Sequence, residues 1–266
     1  MADVERADRD PVRLERDGGV AVAILHDPPL NLFRTRTFER LREVRDEVAE
    51  SDARAFVYRA EGEIFTGGVD VHTFASVEGA ADGTALAEQG IADLACFEAL
   101  PIPTLALVQG LCLTAGLETA LGCDMIWAAE GAQFGLVERV VGLTPFGGGV
   151  QRMAERAGPA RAREFVMTGG LYDAQKMLEW GVVNRVVAAE HLLGKGMEFA
   201  HRLAAGPTVA HGATKRIVRA YLDGGVEAAD RATPAIAGPL FDTEDLKAAV
   251  QSFLSDGPGK ATFEGK

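Results

Sequence analysis

Apolar positions along the chain follow two rhythms. Continuous, β-branched runs at residues 19–25 (GVAVAIL), 54–60 (RAFVYRA), 104–108 (TLALV) and 123–128 (CDMIWA) predict strands buried on both faces. Phe38, Leu41, Val44 and Val48 recur at helical spacing with charges between them, predicting an amphipathic helix over 35–50. A second helix is expected over 86–100, stopped by Pro101 and Pro103, and a short third over 116–122. The glycine-centred 63–70 (EIFTGGVD) reads as a turn, the small acidic 78–83 as a mobile loop, and 1–18 as a polar lead-in with strand character near Val12 and Leu14.

After Gly147 the pattern changes. The glycines of 146–149 open a helix, 160–168 and 174–180 are further helices, and 182–187 is one last short strand. From 189 onward only helical periodicity remains, over 189–205, 207–222, 225–235 and 243–255, with Gly and Pro at the joins. The alternation of strand, glycine turn and helix predicts an α/β fold on a largely parallel sheet. A boundary near 190–205 divides it into an α/β core over 1–200 and a helical region over 201–266.

Composition narrows the function classes. A net charge of −12 argues against nucleic acid or an anionic membrane as the main partner, while leaving room for a small anionic ligand. The apolar stretch 100–129 is interrupted by Pro103, Gln109, Gly110, Glu118 and Asp124, which suits a core and not a membrane span. Cys96, Cys112 and Cys123 sit in apolar company without disulfide or metal spacing, and read as small buried hydrophobes. The charged start lacks the apolar centre of a signal peptide, so a cytoplasmic location is expected. The five histidines show no metal spacing, no Gly-x-Ser-x-Gly elbow is present, and neither dinucleotide nor P-loop fingerprints occur.

What chemistry remains gathers in 108–152. Three glycine turns each follow a strand and precede a helix: Thr66-Gly67-Gly68-Val69, Thr114-Ala115-Gly116 and Phe146-Gly147-Gly148-Gly149. Such turns leave free N–H groups at a helix N-terminus, and two side by side make an oxyanion hole; the plainer reading is that glycine permits tight turns. Glu118 falls in the first turn of its predicted helix, where the dipole alone welcomes a glutamate, yet its neighbours LCLTAGL and TAL are apolar. Glu138, in FGLVERVVGL, has Arg139 beside it as a simple ion-pair partner. Two desolvated carboxyls near one another separate their pKa values, giving one base and one acid.

The span from Val108 to Met153, VQGLCLTAGLETALGCDMIWAAEGAQFGLVERVVGLTPFGGGVQRM, resembles the signature of the crotonase superfamily, the enoyl-CoA hydratase/isomerase proteins. Pro28-Pro29-Leu30-Asn31, Phe65-Thr66-Gly67-Gly68-Val69-Asp70, the block LYDAQKMLEWGVVNRVV over 171–187 and the tail Gly259-Lys260-Ala261-Thr262-Phe263 are similar to further family segments. The resemblance implies a spiral of ββα units with a helical C-terminal region that builds trimers, usually paired into hexamers. It implies an acyl-CoA thioester as substrate and no cofactor, coenzyme A being part of that substrate.

The oxyanion donors of the family map onto the N–H groups of Val69 and Ala115, and the hydratase glutamates onto Glu118 and Glu138. Leu30, Gly67, Gly68, Asp70, Val71, His72, Gly116, Lys260 and Phe263 match positions that contact the acyl-CoA. Having both carboxyls favours hydration of a 2-enoyl-CoA over double-bond isomerisation, hydrolysis, lyase chemistry or a non-catalytic acyl-CoA-binding role. Two departures stand out: Thr114-Ala115 where the family more often has glycines, and Val69 where alanine is common. Both keep an N–H, since only proline removes one, but add bulk beside the acyl pocket. Glu264 stands where a cation is common, weakening one expected phosphate contact and leaving Lys260 and Lys266 as candidates.

Overall fold

Residues 10–266, other than Ser76 and Ala95, are described by a computed structural model of the chain; residues 1–9 of the acidic lead-in lie outside the described residues. From Val12 the lead-in becomes a full strand. β1 (Val12–Asp17) pairs antiparallel with β2 (Val20–Leu25), Val12 opposite Leu25. β2 then runs parallel to β3 (Ala55–Ala60), β3 to β4 (Thr104–Val108), β4 to β6 (Met125–Ala129) and β6 to β9 (Arg185–Val187). A second, three-stranded sheet joins β5 (Leu111–Leu113), β7 (Gln133–Gly135) and β8 (Tyr172–Asp173).

The helices are α1 (Thr35–Ala49), α2 (Gly79–Leu94), α3 (Thr114–Leu121), α4 (Gly149–Ala157), α5 (Pro159–Thr168), α6 (Ala174–Glu179) and α7 (Leu192–Ala204). On one face of the large sheet, Ala23, Leu25, Phe56 and Tyr58 share a core with Leu41, Val44 and Val48 of α1. On the other, Val22, Ile24, Val57, Leu107 and Trp127 are covered by Leu192, Ala200 and Ala204 of α7. Two covered faces leave no polar phase in β2 or β4, which is why both read as unbroken apolar runs. The three cysteines are buried and unpaired, as expected from their neighbours, and burial pushes their thiols well up.

The path from sheet to helix repeats. The chain leaves β4, adds β5 to the second layer and enters α3; after β2 and β3, Phe33 and Thr66 occupy the same layer, bridging Val69 and Cys112. The ends of these second-layer segments, where helices begin, cluster around one cavity.

Several boundaries move. The acidic stretch 78–83 is helix and not a mobile loop: α2 begins at Gly79, and the Asp82 carboxylate accepts the Glu78 N–H at 3.0 Å. Ala80 and Ala81 favour helix strongly enough to outweigh Gly79 and Gly83. The helix expected over 86–100 therefore starts earlier and ends at Leu94. The last strand is only Arg185–Val187. Beyond α7, α8 (Thr208–Ala237) is broken at Gly224 and Gly225, which leave helical geometry where two separate helices were expected, and α9 (Glu244–Asp256) follows. Val209, Val218 and Tyr221 are exposed on α8.

Candidate active site

The cavity holds about 240 Å³ and brings together Gly67, Val69, Val71, Thr114, Ala115, Glu118 and Glu138. Phe38, Phe74, Leu86, Leu94, Val140 and Phe146 supply most of the remaining wall, with Thr73, Gln89 and Asp93 as polar exceptions. Such a space suits an apolar chain with a polar reacting end.

Glu118 is only 4% exposed. It lies in the second turn of α3, because the helix begins at Thr114, so the favourable dipole of its own first turn does not explain it. The dipole it meets belongs to another helix. Its Oε1 accepts the N–H of Gly147 at 3.0 Å and of Gly149 at 2.9 Å, at the positive end of α4. The third glycine turn thus holds a carboxylate, not a substrate. Glycine is required there: a Cβ on Gly149 would stand 2.8 Å from Glu118 Cγ. Oε2 has no hydrogen-bond partner among the described residues. Burial pushes the carboxyl up to about 7, against the two N–H bonds and the Arg152 charge that favour the anion.

Glu138 opens a single 3-10 turn, Glu138–Val141, and is 9% exposed. Arg139 does not pair with it; the guanidinium donates to the Thr168 carbonyl at 3.0 Å. Glu138 Oε2 is buried without a partner among the described residues. Burial pushes this carboxyl up to about 7 as well; its own backbone N–H opposes that, and the Glu118 charge adds to it. The two environments differ in kind. Two backbone donors from α4 stabilise the Glu118 anion, whereas Glu138 has only its own backbone N–H against burial and a like charge. Glu118 thus has the better-stabilised anion, although burial pushes both carboxyls up to about 7.

Ala115 sits in the first turn of α3, whose N–H groups have no intrahelical acceptor. The Val69 N–H is not free: it donates to Thr114 Oγ1 at 3.0 Å. Keeping a donor at Val69 is therefore not the same as exposing it, and Thr114, expected only to add bulk beside the pocket, takes that donor with its hydroxyl. The loop carrying Val69 is braced from beneath. Asn31 Nδ2 donates to the carbonyls of Glu61, Ile64 and Phe65 at 2.9, 3.2 and 3.2 Å, its Oδ1 accepts from the Asp27 N–H at 2.8 Å, and Thr66 Oγ1 donates to the Asn31 carbonyl at 2.7 Å. A buried asparagine two residues after paired prolines was the available signal for that brace.

The other candidate positions divide. The Leu30 carbonyl accepts the Gly67 N–H at 2.7 Å. Asp70 accepts from Arg34 at 2.9 Å and from the exposed His72 ring at 2.7 Å, and the His72 contact chiefly holds its pKa down. Gly116 meets Thr66 and Phe33 where α3 crosses the loop. Leu30, Gly68, Asp70, His72 and Gly116 surround the cavity without lining it. Lys260 and Phe263 lie elsewhere. Phe263 lines a second, apolar space of about 410 Å³ with Pro207, Leu246 and Phe253, and its carbonyl accepts from Arg54 at 2.9 Å.

An α/β spiral thus presents two buried glutamates and the N-terminus of α3 to one largely apolar cavity. The chain belongs to the enoyl-CoA hydratase/isomerase family, which it matches over residues 15–266. It is 30% identical to a probable enoyl-CoA hydratase of Bacillus subtilis over 258 residues, covering 96% of this chain and 99% of that protein. It is 33% identical to a carnitinyl-CoA dehydratase of Proteus mirabilis over 218 residues, covering 81% and 83%. The crystal structure of a probable enoyl-CoA hydratase/isomerase from Mycobacterium abscessus superposes with a TM-score of 0.86 at 31% identity, covering 97% of this chain and all of that one. The expected family and crotonase fold are borne out, including the helical C-terminal region.

Proposed function

We propose that this crotonase-family enzyme is an enoyl-CoA hydratase that reversibly adds water across the 2,3 double bond of a 2-enoyl-CoA. The observation that carries this reading is the pair of buried, differently supported carboxyls on one cavity wall, both near 7. Glu118 takes a proton from water as its oxygen bonds to C3. The displaced electron pair runs to the thioester oxygen, where the Ala115 N–H and the Val69 side of the site stabilise the enolate. Collapse of the enolate draws the Glu138 proton to C2, and one proton passing from Glu118 to Glu138 through solvent resets the site. The reaction balances with water alone, so the expected requirement is for no cofactor beyond the substrate's own coenzyme A.

A relative named as a dehydratase fits the same chemistry read backwards. Lys260 and Phe263 remain proposed coenzyme A contacts, reached from another subunit, and the exposed apolar residues of α8 and α9 are the proposed trimer, and then hexamer, surface. A cytoplasmic location goes with this reading. Among the described residues, no helix is long and apolar enough to cross a membrane. The test follows loss of the conjugated thioester absorbance of short 2-enoyl-CoA esters. Glu118→Gln and Glu138→Gln should each lower kcat on the order of 10²–10⁴-fold while leaving ester binding in place; wild-type rates in either variant would overturn the assignment.

A further inference from the structure

Thr114 combines three unusual features. It is a β-branched residue with φ +46, a backbone region that such side chains avoid. Its hydroxyl covers the N–H of Val69 at 3.0 Å, and it lines the cavity. Strain of this kind persists where the surroundings hold it, and here they do: Gly68, at φ +98, lacks the Cβ that would stand 2.3 Å from Thr114 Oγ1.

The direction of the Val69 N–H is set by its neighbours. The Gly68 carbonyl and the Asp70 N–H both bond to Phe33 at 2.9 Å, which leaves the intervening N–H facing the opposite edge, toward Thr114. A hydroxyl that accepts one hydrogen bond still has its own proton to give. Among the described residues, that proton has no acceptor. With Oγ1 in place, a thioester oxygen cannot reach the Val69 N–H directly. What it meets instead is the Thr114 O–H beside the Ala115 N–H.

We propose that the Thr114 hydroxyl is a catalytic donor of this site: it relays the Val69 N–H to the thioester oxygen and, with the Ala115 N–H, forms the oxyanion hole. The proposal rests on the oxyanion reading above. The chain N–H···O–H···O strengthens in the enolate, because each bond polarises the next and negative charge gathers at its end. No proton changes owner. The threonine keeps its hydrogen throughout, and the arrangement sets the acyl carbon one hydrogen bond further from Val69 than a glycine at 114 would.

The experiment titrates wild type, Thr114→Ser and Thr114→Val with 3-ketobutyryl-CoA, whose enolate is followed by ultraviolet absorbance, and measures butyryl-CoA affinity in parallel. The serine variant should match wild type. The valine variant, nearly equal in shape but with a methyl over the Val69 N–H, should lose enolate affinity on the order of 10²–10³-fold with butyryl-CoA binding kept. Full enolate formation in the valine variant, or serine falling with valine, overturns the relay. Should valine also lose butyryl-CoA, the serine variant decides by the same criterion. Enolate formation with the expected valine loss, but no hydration of 2-enoyl-CoA, leaves the relay standing and sinks the hydratase reading instead.

Discussion

Relative to wild type, Glu138→Gln should gain stability as pH rises. The Glu138 carboxyl is buried, its Oε2 lacks a partner among the described residues, and the Glu118 charge opposes its ionisation. Its pKa is raised from 4.5 in an exposed chain to about 7 in the fold. The unfolded chain therefore gives up this proton first as pH rises, and the fold loses stability between those values and keeps the full loss above the upper one. A gap of roughly 2.5 pH units at 1.36 kcal/mol each is about 3 kcal/mol at pH 8, and nearly nothing at pH 4.5. Glutamine removes the ionisation and keeps the shape. Its buried NH2 costs about 1 kcal/mol if unpaired, but that cost does not depend on pH. The slope is thus the observable. Urea denaturation at pH 5 and pH 8 should show the variant gaining on wild type by about 2–3 kcal/mol across the interval, or several degrees in Tm. Equal slopes in the two proteins would refute the claim that Glu138 is held protonated by burial.

Three further outcomes follow from the same geometry. The pH dependence of kcat/KM should be a bell centred near 7, falling on the acid side as Glu118 is protonated and on the alkaline side as Glu138 ionises; a flat profile from pH 6 to 8 would contradict the paired assignment. Gly149→Ala places a Cβ 2.8 Å from Glu118 Cγ and should cost about 1–3 kcal/mol of stability together with at least tenfold in kcat, read by denaturation and steady-state kinetics. Asn31→Ala removes four hydrogen bonds under the Val69 loop and should cost about 3 kcal/mol in urea denaturation, whereas a loss below about 1 kcal/mol would mean the loop is braced otherwise.

The large sheet was legible because a parallel sheet covered on both faces leaves uninterrupted apolar runs, and β2, β3, β4 and β6 fall close to their expected places. The second sheet was not. Segments of two or three residues, such as β5, β7 and β8, are too short to carry a period, and their pairing is set by where the larger elements deliver them. The helix at Gly79 was hidden by its glycines, and the bond at its start joins the Glu78 N–H to the Asp82 carboxylate four residues downstream.

At the site, the apolar company of Glu118 and Glu138 correctly foretold burial, since a carboxyl flanked by Leu, Val and Ala has no solvated face to turn to. Which dipole Glu118 meets could not be read. The Gly147 and Gly149 donors are about thirty residues away and approach only because α4 packs on α3. Likewise, Thr114 looked like added bulk in a glycine position. Only the crossing of the two loops shows that its hydroxyl takes the Val69 N–H.

Hydration is tested most directly by turnover of a short 2-enoyl-CoA in water labelled with heavy oxygen, with the product ester analysed intact by mass spectrometry. Addition by Glu118 and Glu138 predicts one labelled oxygen, carried as a hydroxyl at C3, in the wild-type product and none above background in Glu118→Gln or Glu138→Gln. An unlabelled isomer, a free acid with release of coenzyme A, or labelling in either variant equal to that of wild type would contradict it.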